Sequence, residues 1–134
     1  MQVSVAKDHT NFKPRSIKDL NELLRIKEEF NVAPAVFKDD HRRRENFLSA
    51  DFVAFDIDGT LDINNCTDRL KEKQLQYCLI PSRSHTEGTP KRYHVFLPLT
   101  DRVTDSKVYE QTVQYLLSVF PEADEKCKDA SRLF

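Results

Sequence analysis

Apolar and polar positions alternate along the chain in short blocks that predict a mixed set of helices and strands. Over residues 16 to 30, Ile17, Leu20, Leu23, Leu24 and Phe30 recur at helical spacing, with Ser16 placed to cap and Asp19 completing a box-like Ser-x-x-Asp. Val32 to Lys38 is a short apolar piece whose Pro34 restricts it to an edge strand. Phe52-Val53-Ala54-Phe55 then reads as a buried strand that ends abruptly in Asp56, Asp58 and the turn residue Gly59. Ile63, Cys66 and Leu70 mark one face of a short polar helix reaching about Gln74. Tyr77 to Ile80 and Tyr93 to Leu97 are two more strands, and the polar stretch between them has no helical pattern. Without a crossover helix they pair antiparallel. Thr104 or Asp105 caps a further helix with Val108, Thr112, Tyr115, Leu116, Val119 and Phe120 as its apolar face, and Pro121 stops it. Ala130 to Phe134 reads as the start of one more strand.

From Phe52 onward the order is strand, helix, strand, strand, helix, strand. The expected class is α+β, a split βαβ (βαββαβ) sheet with helices on one face and the other face free. Residues 1–49 form a small N-terminal α/β extension packed on the sheet edge, and 50–134 form the main module. A chain of 134 residues with 39% hydrophobic positions buries one modest core, so a single domain is expected.

Composition removes several classes. Gly59 and Gly88 are the only two glycines, too few for a dinucleotide fingerprint or a phosphate loop. Cys66, Cys78 and Cys127 form no Cys-x-x-Cys pair, and the four histidines have no zinc spacing, so the thiols read as small buried hydrophobes in a reducing, cytoplasmic setting. No apolar run approaches membrane-spanning length, the first residues lack a signal-peptide pattern, and no membrane partner is expected. A formal charge of -1 argues against a strong nonspecific grip on nucleic acid and leaves that role to local patches.

The candidate chemistry gathers at one strand tip. Asp56 and Asp58 are two apart on a strand, so both leave the same face, about 6 to 7 Å apart at their bases. Two such acids repel unless a cation intervenes, and hard oxygen ligands suit Mg²⁺ or Mn²⁺. Asp124 or Asp129, just before the last predicted strand, can supply a third carboxylate. His85 sits in the loop between antiparallel strands beside Ser82, Arg83 and Ser84, all donors to phosphate oxygens. Arg92 and Arg132 lie on neighbouring elements, and His94 shares a face with Arg92. Arg42, Arg43 and Arg44 form a local basic run, as do Lys91 and Arg92.

Two families resemble these residues. Asp56-Ile57-Asp58-Gly59-Thr60-Leu61 is similar to the first signature of haloacid dehalogenase-like phosphatases, which implies Asp56 as nucleophile, Asp58 as general acid and a bridging Mg²⁺. That fold needs a parallel sheet, and the polar turn from Pro81 to Arg92 leaves no room for the crossover helix. The second resemblance runs from about His41 to Phe134, to the primase-polymerase branch of the archaeo-eukaryotic primase superfamily, of phage and plasmid type. It is carried by the apolar strand ending Asp56-x-Asp58, by Ser82-Arg83-Ser84-His85, by the basic-aromatic strand Lys91 to Leu99, and by Ala123-Asp124 followed by Ser131-Arg132-Leu133-Phe134.

The resemblance implies an RNA-recognition-like sheet and a template-directed nucleotidyltransferase in replication of a phage or mobile element. Asp56, Asp58 and Asp124, with Asp129 as the competing third acid, would hold two Mg²⁺ or Mn²⁺ ions, and His85 would join Asp56 and Asp58 in catalysis. Ser82, Ser84, His85, Arg92 and Arg132 would bind the nucleoside triphosphate. Arg42, Arg43, Arg44 and Lys91 would contact a single-stranded or primed DNA template. A helicase or C-terminal primase domain is the expected partner, and the chain is expected to be a piece of a longer protein. A third reading is a catalytically inactive module that holds single strands on the open sheet.

Overall fold

The computed structural model describes residues 1–82 and 91–134. It contains three α-helices and two antiparallel sheets, an α+β arrangement. The elements are β1 (Gln2–Ala6), β2 (Lys13–Ser16), α1 (Leu20–Glu29), β3 (Asn31–Ala33), β4 (Ala35–Phe37), β5 (Phe47–Asp58), α2 (Ile63–Glu72), β6 (Cys78–Pro81), β7 (Arg92–Val103) and α3 (Ser106–Val119). Among the described residues no helix is long and apolar enough to cross a membrane.

The main sheet has the order β4-β5-β7-β6, with every pair antiparallel. β5 and β7 form its centre, and their register sets Ala54 opposite Phe96, Asp56 opposite His94 and Asp58 opposite Arg92. Side chains alternate across the pleat, so Phe55, Ile57, Tyr93 and Val95 face the other way. On that side α3 lies against β5 through the stacked rings of Phe55 and Phe120, 4.6 Å apart. The Tyr93 hydroxyl donates to the Leu61 carbonyl at 2.9 Å, closing the loop before α2 over the same face. Burial holds the Tyr93 hydroxyl protonated by pushing its pKa well up.

The opposite face departs from the expected free surface. Phe52, Ala54, Phe96 and Cys78 point there and are buried. The Cys78 thiol contacts the Leu20 carbonyl at the start of α1, and the Phe134 ring packs edge-on to Phe96 and His94. The N-terminal piece therefore covers this face as well as adding β4 to the sheet edge. These side chains are large and apolar, and leaving them in water would forgo about 25 cal/mol for each Å² they bury. Among the described residues the tip of the face, around Asp58 and Arg92, is exposed.

Other expectations shift in detail. The helix predicted from Ser16 begins later, because Asp19 is the cap and accepts from the Glu22 N–H, while the Glu22 carboxylate takes the Lys18 N–H. Ser16 belongs to β2 instead. The apolar piece around Pro34 is two strands split at the proline, β3 in the small sheet β2-β1-β3 and β4 in the main sheet. A residue without an N–H cannot continue a ladder, and here it marks the passage between sheets. Helix α2 ends at Glu72, followed by Gln74 at positive φ. In α3, Asp105 is the cap, but Val108 and Tyr115 are exposed while Tyr109, Val113, Leu116 and Phe120 are buried. The residues Ala130 to Phe134 add no strand to the main sheet. Phe134 instead exchanges two backbone hydrogen bonds with Val32 of β3, at 2.7 and 2.9 Å.

Asp51 joins the two sheets. Its carboxylate accepts the Gln2 N–H of β1 at 2.7 Å and both arms of the Arg102 guanidinium at 2.9 and 3.0 Å, where the β5–β7 register shifts. With its side chain 10% exposed, Asp51→Asn is expected to cost about 1–3 kcal/mol, the range for a buried partner removed from charged hydrogen bonds. The Arg102 hydrogen bonds, with that of Gln2, hold its carboxyl below the usual Asp range against the cost of burial. A depressed acid stabilises above its unfolded pKa and loses that contribution as pH falls through the folded value. Chemical denaturation at pH 7 and pH 3 should therefore show a smaller stability loss for Asp51→Asn than for the parent chain.

Candidate functional site

The open tip of β5 and β7 carries the acids. Asp56 is half-buried, and its Oδ1 lies 3.5 Å from His94 Nε2 across the strand pair. His94 shares the face of Arg92 as alternation predicts, but its place directly opposite Asp56 and its contact with that carboxylate depend on the register of β5 against β7, which no local pattern supplies. Asp58 is exposed and pairs with Arg92, the residue opposite it. The turn after Asp58 needs Gly59 at φ +78°, a conformation that a side chain disfavours, and the Gly59 N–H donates to the Lys91 carbonyl at 2.8 Å.

Asp124 reaches the same tip by a different route. Beyond β4 no strand among the described residues pairs the flank of β5, and the Asp124 backbone N–H donates to the Asp56 carbonyl at 3.0 Å. The segment is held by Thr60, whose hydroxyl donates to the Glu122 carbonyl at 2.6 Å. It is also held by Arg69, which forks onto the Glu122 carboxylate, donates to the Val119 carbonyl and lies over the Phe120 ring. Arg132 then joins two of the acids, with Nη2 3.2 Å from Asp124 Oδ2 and 3.7 Å from Asp56 Oδ2. Asp129 is used elsewhere, its carboxylate accepting both the N–H and the hydroxyl of Ser131 to close a turn.

Burial is the main influence on Asp56 and pushes its pKa up, Arg132 opposes this, and Asp124 and Asp58 add to the rise by repulsion. The acids thus form one electrostatic group. Three carboxylates offer the hard oxygen donors that divalent Mg²⁺ or Mn²⁺ take, and so fit such a cation in kind. Among the described residues, however, no three His, Cys, Asp or Glu side chains converge as a metal-holding group. Guanidinium groups neutralise the acids instead, and Arg132 would have to release Asp56 and Asp124 to a cation.

The remaining sequence candidates divide. Ser84 and His85, with Arg83, lie outside the described residues. Ser82 donates its N–H to the Arg92 carbonyl at 2.9 Å, on the strand ends beside the acids, and Lys91 is exposed next to them. Arg42 is not at the tip: its Nε donates to the His9 carbonyl, its Nη1 to the Ser131 carbonyl at 2.6 Å, and its guanidinium covers Phe12. Arg44 forks onto Glu110 of α3 at 2.6 and 2.7 Å. Arg43 is exposed. The three arginines therefore do not form one continuous patch. The three cysteines are buried, and burial pushes the Cys78 and Cys127 thiols up to about 11, which keeps them protonated and unreactive at neutral pH.

The all-antiparallel main sheet removes the phosphatase architecture, which places its Asp-x-Asp on a parallel sheet. The buried Phe52 and Phe96 likewise remove the open stacking surface of the single-strand-binding reading. No protein-family model and no curated protein matches the chain. Among solved structures the chain is similar to the AEP domain of the cyanophage S-2L primase-polymerase. The TM-score is 0.53 at 11% sequence identity, over 99% of this chain and 70% of that one. At that identity the likeness is one of fold.

Proposed function

We propose that this chain is the catalytic module of a DNA primase-polymerase, transferring nucleotides from a nucleoside triphosphate to a 3′-hydroxyl on a single-stranded or primed template. The observation that carries the reading is the Arg132 bridge between Asp56 and Asp124 beside the Asp58–Arg92 pair at one strand tip, within a fold shared with a phage primase-polymerase domain.

In this reading Asp56, Asp58 and Asp124 hold the divalent cations, which supply Lewis-acid stabilisation of the attacking and leaving oxygens. The protein's own groups then have separable tasks. Arg132 bridges Asp56 and Asp124, opposes the cost of burying Asp56, and can turn its charge toward phosphate when the acids are neutralised otherwise. His94, wedged between Asp56 and the Phe134 ring, fixes the carboxylate's orientation. Arg92, largely exposed beside Asp58, is free to swing toward a triphosphate or a template phosphate. Ser82, Ser84 and His85 complete the nucleotide site, and Lys91 lies where template can pass. His85 is the group assigned to the reacting nucleotide.

The direct test is extension of a labelled primer on single-stranded DNA by the purified chain with nucleoside triphosphates and Mn²⁺ or Mg²⁺. Metal-dependent, template-directed extension is expected. Absence of incorporation with either ion, for deoxy- and ribonucleotides alike, sinks the reading.

A further inference from the structure

Beyond Arg132, a separate cleft of about 380 Å³ is lined by Arg42, Lys126, Lys128, Asp129, Ser131 and Arg132. Its volume falls in the range of small-molecule sites, about 300–1,000 Å³. Four cationic side chains line it with one carboxylate, and one of the four, Arg132, is already paired with Asp124 and Asp56 on its other side. The Asp129 carboxylate is already engaged by the Ser131 N–H and hydroxyl. Lys126 and Lys128 are exposed and make no ion pair among the described residues, and the buried Arg132 Nε has no hydrogen-bond partner among them. Burial pulls the Arg42 pKa down, the nearby Asp129 carboxylate opposes this, and the like charge of Arg132 adds a smaller push downward. The two lysines add positive charge beside guanidiniums whose own carboxylates are already taken, a concentration of like charge that an anion would relieve. A phosphate group answers that need, because its several oxygens accept from guanidinium forks and ammonium groups at once.

We propose that this cleft is a phosphate-binding site, taking either a free polyphosphate or the phosphate of a nucleic-acid strand, with Arg132 as the wall it shares with the acids. The site stands on the cleft's own charges and does not need nucleotidyl transfer, so its test reads binding alone.

The test titrates the full chain, without divalent metal, with inorganic triphosphate by calorimetry and with 5′-phosphorylated and 5′-hydroxyl oligothymidylates by fluorescence anisotropy. Saturable binding of at least one ligand is expected, weakened about tenfold or more by Lys126→Ala with Lys128→Ala, as loss of charged hydrogen bonds to phosphate dictates. Both lysines are exposed, so the variant keeps its fold, and Lys13→Ala with Lys107→Ala serves as the charge-matched control with unchanged affinity. Binding of triphosphate assigns the site to free polyphosphate, whereas binding of the strands assigns it to nucleic acid, at the strand end if the 5′-phosphate is preferred. No saturable binding of any of these ligands, or equal binding by the Lys126→Ala, Lys128→Ala variant, overturns the proposal.

Discussion

Asp56→Asn is expected to lower metal-dependent nucleotide incorporation about a thousandfold, with the melting temperature unchanged or raised. The loss follows from the proposed role, since a metal-held charge stabilises the transition state by several kcal/mol and each 1.36 kcal/mol is a factor of ten. The preserved fold follows from burial, which already disfavours the charged carboxylate, so a neutral amide of the same shape removes a cost. Asp124→Asn should lose incorporation to a similar degree, because Asp124 shares Arg132 with Asp56. Asp129→Asn should stay within a few-fold of the parent, because Asp129 closes a turn and has no contact with Asp56. Primer extension under single-turnover conditions, alongside thermal melts, separates the three variants. Equal losses at positions 124 and 129 would reject Asp124 as the third acid.

Phe55→Ala should have the largest effect on stability. The ring is fully buried at the middle of β5 and stacks on Phe120, so it joins the central strand to α3. Removing a buried phenyl group costs about 3–5 kcal/mol in transfer and cavity terms. A domain of this size holds roughly 5–15 kcal/mol in total, so the variant would lose a large share of its stability. At roughly 2–6 °C per kcal/mol, the melting temperature should fall by about 6–30 °C. Phe55→Leu, which keeps most of the volume, should recover most of the loss. A denaturation midpoint close to the parent's for Phe55→Ala would mean that α3 is not packed on β5 as described.

The motif Asp56-x-Asp58-Gly59-Thr60-Leu61 illustrates where local reading reaches its limit. It matches a phosphatase signature, yet each residue after the acids has a separate task in this fold. Gly59 turns the chain at positive φ, Thr60 anchors the Glu122 carbonyl, and Leu61 receives the Tyr93 hydroxyl. A six-residue match cannot choose between a parallel and an antiparallel sheet. The polar sequence between the two apolar segments, without a helical pattern, made that choice, and the observed antiparallel pairing of β6 with β7 agrees.

Helix α3 shows the same limit within one element. Val108, Thr112, Tyr115 and Val119 recur at helical spacing, and so do Tyr109, Val113, Leu116 and Phe120. Periodicity identifies the helix and its Asp105 cap but offers two apolar stripes. Contacts with Phe47 and Phe55 of β5 select the second, leaving Tyr115 64% exposed.

What the amino-acid order determined alone is therefore whatever depends on near neighbours: the strand ending in paired acids, the two later antiparallel strands, the capped third helix and the α+β class. Periodicity, caps and turn chemistry act over a few residues, which is why they can be read without a structure. Tertiary packing decided the rest. It set His94 opposite Asp56, brought Asp124 rather than Asp129 to the acids through Arg132, and laid the N-terminal piece over a face that alternation alone left open. These outcomes depend on register and on which apolar surface finds which, and both are settled between segments far apart in the chain.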